Sequence, residues 1–584
     1  MKNLRFLFLL AALLLKPSAF FLQAQDSFIG GHFWISFSDK EESPYSVDQP
    51  QLFLSQKSIE RRTKQGIPIT INDLPVNSIY IDSLRVDAEV SIFYSSRWFN
   101  GVLVYTEKDL SLQRIISLPF VLSAEAVKPK PEKVPVLEEI EEEPEYIRTL
   151  QQNTQSSQSV FIFDVPENNP AASAWEMTYS SYELGISGPG IEQVNATSLI
   201  SEGFLGQGKL IAVLDAGFLA TDQILAFDHL WNAGQIMGWY DFVEPSQNIF
   251  NSSFHGTAVL SVMAAKRPGE LFGTATGASY YLIRTEDATS EFRIEEYNWL
   301  AGAELADSLG ADIINSSLGY TRFDDPAQNY VYGQLDGHTT VVARAANFAF
   351  ERGMVVVNSA GNYAQQNWKY IGSPADSFGA LSIGALTIEG QRASFSSFGP
   401  SADGRVKPDI MAHGRLVPVA NTSNGISLAS GTSFSSPLIA GLAAALWQKH
   451  DHASAQQIKK AIIESSDRYL MPDSAFGHGI PDFLWASKLL QYDFQPQKQL
   501  VIYPNPVNVY SYIRFYSENE QEVKIELFDL RGQQLFNSEK QMAFKGYNRM
   551  QTFKDIHHLQ NGIYFIRLTA QNGSISVAKF IKAW

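Results

Sequence analysis

The sequence predicts a central α/β unit, a parallel sheet between two layers of helix. A smaller α+β unit precedes it and a β-sandwich follows it. Three observations carry this expectation. Short apolar runs, residues 210–214, 312–315 and 354–357, alternate with helical stretches, 294–309 and 341–352, as buried parallel strands with crossover helices require. The runs before and after that region alternate apolar and polar residues, as half-buried strands do. Between the first unit and the second, the composition breaks.

Composition sets outer bounds. The chain has 584 residues, 45% of them hydrophobic, enough for several globular units of roughly 150 residues each. Forty-five basic and 61 acidic side chains give a net charge of −16. That sign repels phosphate backbones, and no basic stripe offsets it, so nucleic acid is not an expected partner. The absence of cysteine excludes disulfide scaffolds, Cys-ligated zinc, thiol catalysis and Cys-linked lipid anchors.

In chain order, Lys2 and Arg5 precede an apolar run from Phe6 to Leu15, with Ala24 or Gln25 as a cleavage edge. Residues 1–25 therefore read as a secretory signal peptide. No later stretch approaches the roughly 20 apolar residues of a membrane span. Residues 26–128 hold alternating runs at 91–94 and 101–105, a helical candidate at 107–116 and a further strand at 119–122, a small α+β unit. Residues 129–165 are rich first in Pro and Glu, then in Gln and Ser. Such a segment cannot bury enough apolar surface to offset its ordering entropy and reads as an exposed linker. It is either a site of proteolytic processing or a solvated spacer. Residues 166–495 form the α/β unit, and short strands with turn signals over 499–584 form the β-sandwich.

Four motifs in the α/β unit point to one chemistry. Asp215 ends the apolar run 210–214, at the carboxyl end of a buried strand, where open α/β sheets build their sites. His255-Gly256-Thr257 opens a helical stretch, and Gly431-Thr432-Ser433 through Pro437 opens another at Leu438–His450. Ser359-Ala360-Gly361-Asn362 ends the strand 354–357. A serine hydroxyl needs a base to become a nucleophile, and histidine titrates near neutrality. A carboxylate fixes the imidazole tautomer and stabilises its cation. An amide side chain and a backbone N–H receive the charge on the carbonyl oxygen. Each motif alone is also an ordinary turn or helix cap; together, in the order Asp, His, Asn, Ser, they supply acyl transfer.

On these residues the sequence resembles the subtilisin-like serine proteases, over about 206–486. Supporting segments are Ser317-Leu318-Gly319, residues 273–278, 394–400 and 407–410, and Pro437. The resemblance implies a three-layer subtilisin-like fold. It also implies Asp215 as orienter, His255 as general base and then acid, Ser433 as nucleophile, and Asn362 with the Ser433 N–H as oxyanion donors. The sequence departs from the family pattern at Ala258 and Ser261, where a His and a Gly are common, and at His413, where a Pro is usual. These positions bear on packing rather than on reacting atoms. The resemblance further implies P1-pocket walls at Ser317, Leu318, Gly319 and Ser359, Ala360, Gly361. Gly372 would leave the pocket floor open, so that an uncharged pocket takes a large apolar P1 side chain. No cofactor is required. The acidic residues Asp324, Asp325 and Asp336 are a candidate structural calcium site, with a solvated loop as the competing reading.

The flanks resemble parts that accompany such enzymes. Residues 98–102 and 121–127 resemble the inhibitory prodomain of the family, which implies an intramolecular inhibitor. Residues 503–506, 526–532, 561–568 and 579–582 resemble the C-terminal sorting domain of type IX secretion in Bacteroidetes. That implies passage through the periplasm and secretion or display at the outer cell surface. The expected activity is a secreted serine endopeptidase acting on proteins or peptides, with a rate that rises as His255 loses its proton near pH ~6.5. Two alternatives stand beside it: a processing peptidase or ligase dedicated to one partner, and a catalytically silent surface-binding protein.

Overall fold

The computed structural model describes residues 30–130, 184–492 and 500–582, apart from 42, 246–247, 504, 508–510, 518, 539, 544–545 and 551–557. The signal peptide at 1–25, the linker beyond residue 130 and residues 166–183 of the expected α/β unit lie outside the described residues.

The N-terminal unit is a four-stranded antiparallel sheet with helices. Its strands β1 (Gly31–Phe37), β2 (Ser91–Ser96), β3 (Gly101–Thr106) and β4 (Val121–Pro129) lie in the order β2-β3-β1-β4. The helices are α1 (Gln56–Gln65), α2 (Ser78–Arg85) and α3 (Asp109–Ile116). Ser55 caps α1 by accepting from the Ser58 N–H, and Gly66 ends it at φ 68°, a turn that glycine makes without a Cβ clash. Period-two alternation gives the sheet two buried faces. Phe33, Ile35 and Phe37 pack with α3 in the unit's own core, while Trp34, with Trp98, Leu103 and Val127, joins the core of the α/β unit. Strand β4 continues through Pro129, so the linker starts slightly later than the composition predicts.

Among the described residues the central sheet of the α/β unit has seven strands: β5 (Leu210–Asp215), β6 (Ile236–Asp241), β7 (Ser279–Arg284), β8 (Ile313–Ser316), β9 (Val355–Ser359), β10 (Ala380–Leu386) and β11 (Ile410–His413). Their order is β11-β10-β9-β8-β5-β7-β6, with every pair parallel. Helices α4 (His255–Ala264) and α7 (Thr432–Lys449) cover one face, and α5 (Ile294–Leu309) and α6 (Val341–Glu351) cover the other. Alternation along β5 feeds both cores, Ile211 and Val213 to one, Leu210, Ala212 and Leu214 to the other.

Two helices differ from expectation. Helix α5 matches its predicted span, but its polar residues Glu295, Glu296, Asn298, Glu304 and Asp307 are buried: Ser96, Arg97, Arg61 and Arg62 of the N-terminal unit cover Glu304 and Asp307, and Glu296 accepts from Tyr330 Oη at 2.6 Å. Helix α7 starts at Thr432 rather than Leu438, with Pro437 inside it. Proline removes the N–H that would bond the carbonyl four residues back, that of Ser433. Ser317 Oγ donates to this Ser433 carbonyl at 2.9 Å, so the helix continues without an orphaned acceptor. Leu438, Ile439, Leu442 and Leu446 on α7 are buried, worth about 1.5–3 kcal/mol each. At Gly441 a Cβ would stand 2.0 Å from Thr274 Oγ1, so only glycine lets α7 approach that loop.

The C-terminal unit is two antiparallel sheets around one apolar core that includes Ile513, Val523, Ile525, Ile566 and Phe580. This is the predicted sandwich. Among the described residues, no helix is long and apolar enough to cross a membrane.

Candidate active site

Asp215 is fully buried at the carboxyl end of β5, and its Oδ1 lies 2.8 Å from His255 Nδ1 at the start of α4. The motif glycine explains how the two come together. A Cβ on Gly256 would stand 2.3 Å from the Gly217 carbonyl and 2.9 Å from Asp215 Cβ. Any larger residue would push the helix, and the imidazole with it, off the strand end. Burial disfavours the charged imidazole, but the charge of Asp215 and its hydrogen bond outweigh this and raise the His255 pKa above its ordinary value. The proton is therefore lost above the pH ~6.5 of a free histidine, later than the sequence alone suggests.

Ser433 is 4% exposed, in the first turn of α7, and its hydroxyl donates to the Ser317 carbonyl at 3.3 Å. The adjacent Phe434 ring lies 6.1 Å from the His255 ring, centroid to centroid. Asn362 is positioned by Thr432, whose N–H and hydroxyl donate to Asn362 Oδ1 at 2.9 and 3.0 Å. That fixes the amide orientation: with the oxygen engaged, Nδ2 is the free donor. A methyl built on Gly431 would be 3.4 Å from Asn362 Nδ2 and 3.6 Å from Ser433 N. The two expected oxyanion donors thus both lie close to one glycine. Thr432 also accepts from the Gly361 N–H at 3.1 Å. Its positioning role was not legible in the sequence, where it is one more small polar residue of the motif.

The expected P1 walls also come together. Asn358 Nδ2 and Ser359 Oγ donate to the Leu318 carbonyl at 3.1 and 3.4 Å, and the Gly372 N–H donates to the Ala360 carbonyl at 3.2 Å. The Tyr363 ring lies beside the expected floor: its Oη donates to the Gly319 carbonyl at 2.9 Å, and a Cβ on Gly372 would stand 3.2 Å from Tyr363 Cε2. A residue following Ala-Gly-Asn carries no sequence signal that its ring folds back between two distant glycines.

The departures from the family pattern are accommodated. Ser261 Oγ donates to the Ala258 carbonyl and accepts from the Ala420 N–H, and His413 Nε2 lies 2.8 Å from the Arg415 carbonyl. Of the acidic residues, Asp324 accepts from the Glu291 N–H, Asp325 from Ala327 and Asp336 from His338 and Thr339. Each serves its own turn or a neighbouring loop.

The N-terminal unit is joined to the α/β unit by buried charge. Asp307 on α5 receives Arg61 at one oxygen and Arg62 and Arg97, both at 2.6 Å, at the other. Burial would raise its pKa, but Arg97, Arg61, Arg62 and Arg352 hold it down at about 2. Across the same interface Asp73 pairs with Arg352 at 2.9 Å, and within the N-terminal unit it pairs with Arg62 at 3.0 Å. Glu304 accepts from the Arg97 and Trp98 N–H groups at 3.0 and 3.2 Å and from Ser96 Oγ.

A seven-stranded parallel sheet with the Asp–His pair at a central strand end is a subtilisin-like α/β fold. Residues 206–479 match the model of the subtilase family, peptidase S8. Residues 32–142 match the peptidase S8 propeptide domain of Bacteroidota, and residues 501–583 match the secretion system C-terminal sorting domain. The chain is 28% identical to subtilisin NAT of Bacillus subtilis subsp. natto over 319 residues, 54% of this chain and 75% of that protein. It is also 28% identical to the subtilisin of Bacillus pumilus over 295 residues, 50% of this chain and 95% of that one. Among solved structures, MycP1 from Mycobacterium smegmatis is similar at a TM-score of 0.41 and 19% identity, over 51% of this chain and 84% of that one. The propeptide and type IX sorting domains make this an exported subtilase made as a zymogen.

Proposed function

We propose that the protein is a serine endopeptidase that hydrolyses peptide bonds through a covalent acyl-enzyme. The observation that carries this reading is the buried 2.8 Å contact between Asp215 and His255, beside the helix start that holds Ser433. His255 Nε2 takes the Ser433 proton as Oγ attacks the peptide carbonyl carbon. Asp215 holds Nδ1–H and stabilises the imidazolium. Asn362 Nδ2 and the Ser433 N–H receive the oxyanion. His255 then protonates the leaving amine, and water, deprotonated by His255, releases the acid from the ester. The substrates are proteins or peptides, and the N-terminal unit acts as an intramolecular inhibitor until it is removed. The sorting domain engages the type IX machinery and directs the enzyme to the medium or the outer cell surface.

The test is a fluorophosphonate probe with casein as a general substrate. The secreted enzyme should be labelled and should digest casein, and Ser433→Ala should abolish both. Labelling that survives in Ser433→Ala would overturn the assignment of the nucleophile. Labelling without casein digestion would point to an enzyme dedicated to one partner.

A further inference from the structure

The Tyr363 side chain lies beside Gly319, Gly361 and Gly372, residues that the resemblance assigns to the P1 pocket. It follows Asn362, the expected oxyanion donor, and turns back between the two walls that the resemblance assigns to the P1 pocket. Its backbone is held at both ends. The Tyr363 N–H donates to Ser397 Oγ at 3.0 Å, and its carbonyl accepts from the Gln366 N–H at 2.9 Å. Its tip is held by the hydrogen bond from Oη to the Gly319 carbonyl at 2.9 Å.

The glycines around it fit the ring. A Cβ on Gly372 would lie 3.2 Å from Tyr363 Cε2, tighter than an ordinary van der Waals contact, and one on Gly361 would lie 2.7 Å from the same atom. On the opposite wall, a Cβ on Gly319 would stand 3.5 Å from Tyr363 Oη. The same Cβ on Gly372 would lie 3.5 Å from Gly319 Cα, so the two glycines approach each other closely beside the ring. Gly319, Gly361 and Gly372 thus make room for a side chain of this protein. Gly372, read from sequence alone, suggests room for a substrate.

We infer that Tyr363 is a specificity-determining residue that fills the P1 pocket from within and restricts the enzyme to small P1 side chains: glycine, alanine or serine. The inference rests on the peptidase reading above and names its substrate class. A large aromatic or branched P1 group would have to displace a ring tethered at its tip and packed against main chain. Pocket volume changes of this kind alter selectivity by about 10-fold to 200-fold even for one methylene, and a phenol ring is far larger than that.

The experiment compares kcat/KM on peptides that differ only at P1, alanine against phenylalanine, for the mature enzyme and for Tyr363→Gly, Tyr363→Ser and Tyr363→Phe. The unaltered enzyme should favour alanine by about tenfold or more. Tyr363→Gly and Tyr363→Ser should reverse the preference, mainly by raising kcat/KM for phenylalanine. Tyr363→Phe keeps the ring and should keep the preference for alanine. A preference of the unaltered enzyme for phenylalanine would overturn the inference, as would an unchanged profile in Tyr363→Gly or a Tyr363→Phe profile that matches it. Fluorophosphonate labelling at Ser433 separates the two levels of the argument. A labelled enzyme with the wrong P1 profile refutes the selector alone, whereas an unlabelled and inactive one refutes the peptidase reading beneath it. Loss of labelling only in both Tyr363→Gly and Tyr363→Ser would make the residue part of the site's fold and would also overturn its role as a selector.

Discussion

Asp215 and Asp307 are both fully buried aspartates of the α/β unit, one on each side of the sheet. Their surroundings differ in kind. Asp215 faces one imidazole, whose charge depends on pH, and its Oδ2 has no hydrogen-bond partner among the described residues. Asp307 faces three guanidiniums, which stay charged at any working pH, and both of its oxygens are engaged. A carboxylate with a single titratable partner can stabilise a charge that comes and goes. One saturated by permanent cations can only hold pieces together. The first arrangement suits a reaction and the second a clamp, and all three arginines of the clamp belong to the N-terminal unit.

The largest effect that would sharpen this contrast is expected at Asp215. Asp215→Asn should lower kcat by about 10⁴-fold, the loss typical when a triad carboxylate is neutralised and the imidazole is held in the wrong tautomer. It should leave the docking of the N-terminal unit unchanged. A loss under tenfold would remove Asp215 from the machinery. Asp307→Asn should do the reverse. It leaves three buried cations short of a counter-charge and should destabilise the full chain by about 3–5 kcal/mol, measured by urea unfolding in a Ser433→Ala background that prevents self-digestion. The mature enzyme freed of its N-terminal unit should keep kcat within about twofold. Equal stability of the full chain with and without the substitution would dissolve the clamp.

Acid should separate the two aspartates next. Because the folded pKa of Asp307 is depressed to about 2, below the free value of ~3.9, its contribution is intact above that free value and is lost as pH falls toward the folded one. In a Ser433→Ala chain nicked in the linker, the N-terminal unit should co-elute with the rest at pH 5 and separate progressively below pH 4. Separation already at pH 6 would mean that other groups control docking. The smallest effect concerns His255. Its pKa is raised, so kcat/KM should rise with pH through a midpoint above the free value of ~6.5. In the residual activity of Asp215→Asn that midpoint should move down, because the raising charge is gone. A midpoint below 6 in the unaltered enzyme would contradict the Asp215–His255 geometry.

The parts of the molecule legible in the sequence are those fixed by local pattern. The apolar runs gave the strands, and helix 294–309 has the bounds that its pattern predicts, since Gly310 ends it in a left-handed turn at φ 83°. Asp215, His255, Asn362 and Ser433 were legible because each sits beside a glycine or at an element end, in motifs spaced as the fold requires. The start of helix 432–449 was missed because proline reads as a breaker, and only the tertiary bond from Ser317 shows why it is tolerated. The burial of Glu304 and Asp307 was illegible because their cover, Arg61, Arg62 and Arg97, lies more than 200 positions away. The position of Tyr363 was missed for a related reason: it lies among Gly319, Gly361 and Gly372, which meet only when the ends of two neighbouring strands and a later loop come together.

The bond from Ser317 to the Ser433 carbonyl has a mechanical meaning. A first-turn carbonyl ordinarily accepts from an N–H of its own helix; this one accepts instead from Ser317, next to Leu318 and Gly319. In the proposed mechanism a shift of that loop would be felt at the Ser433 hydroxyl, which donates to the Ser317 carbonyl in return.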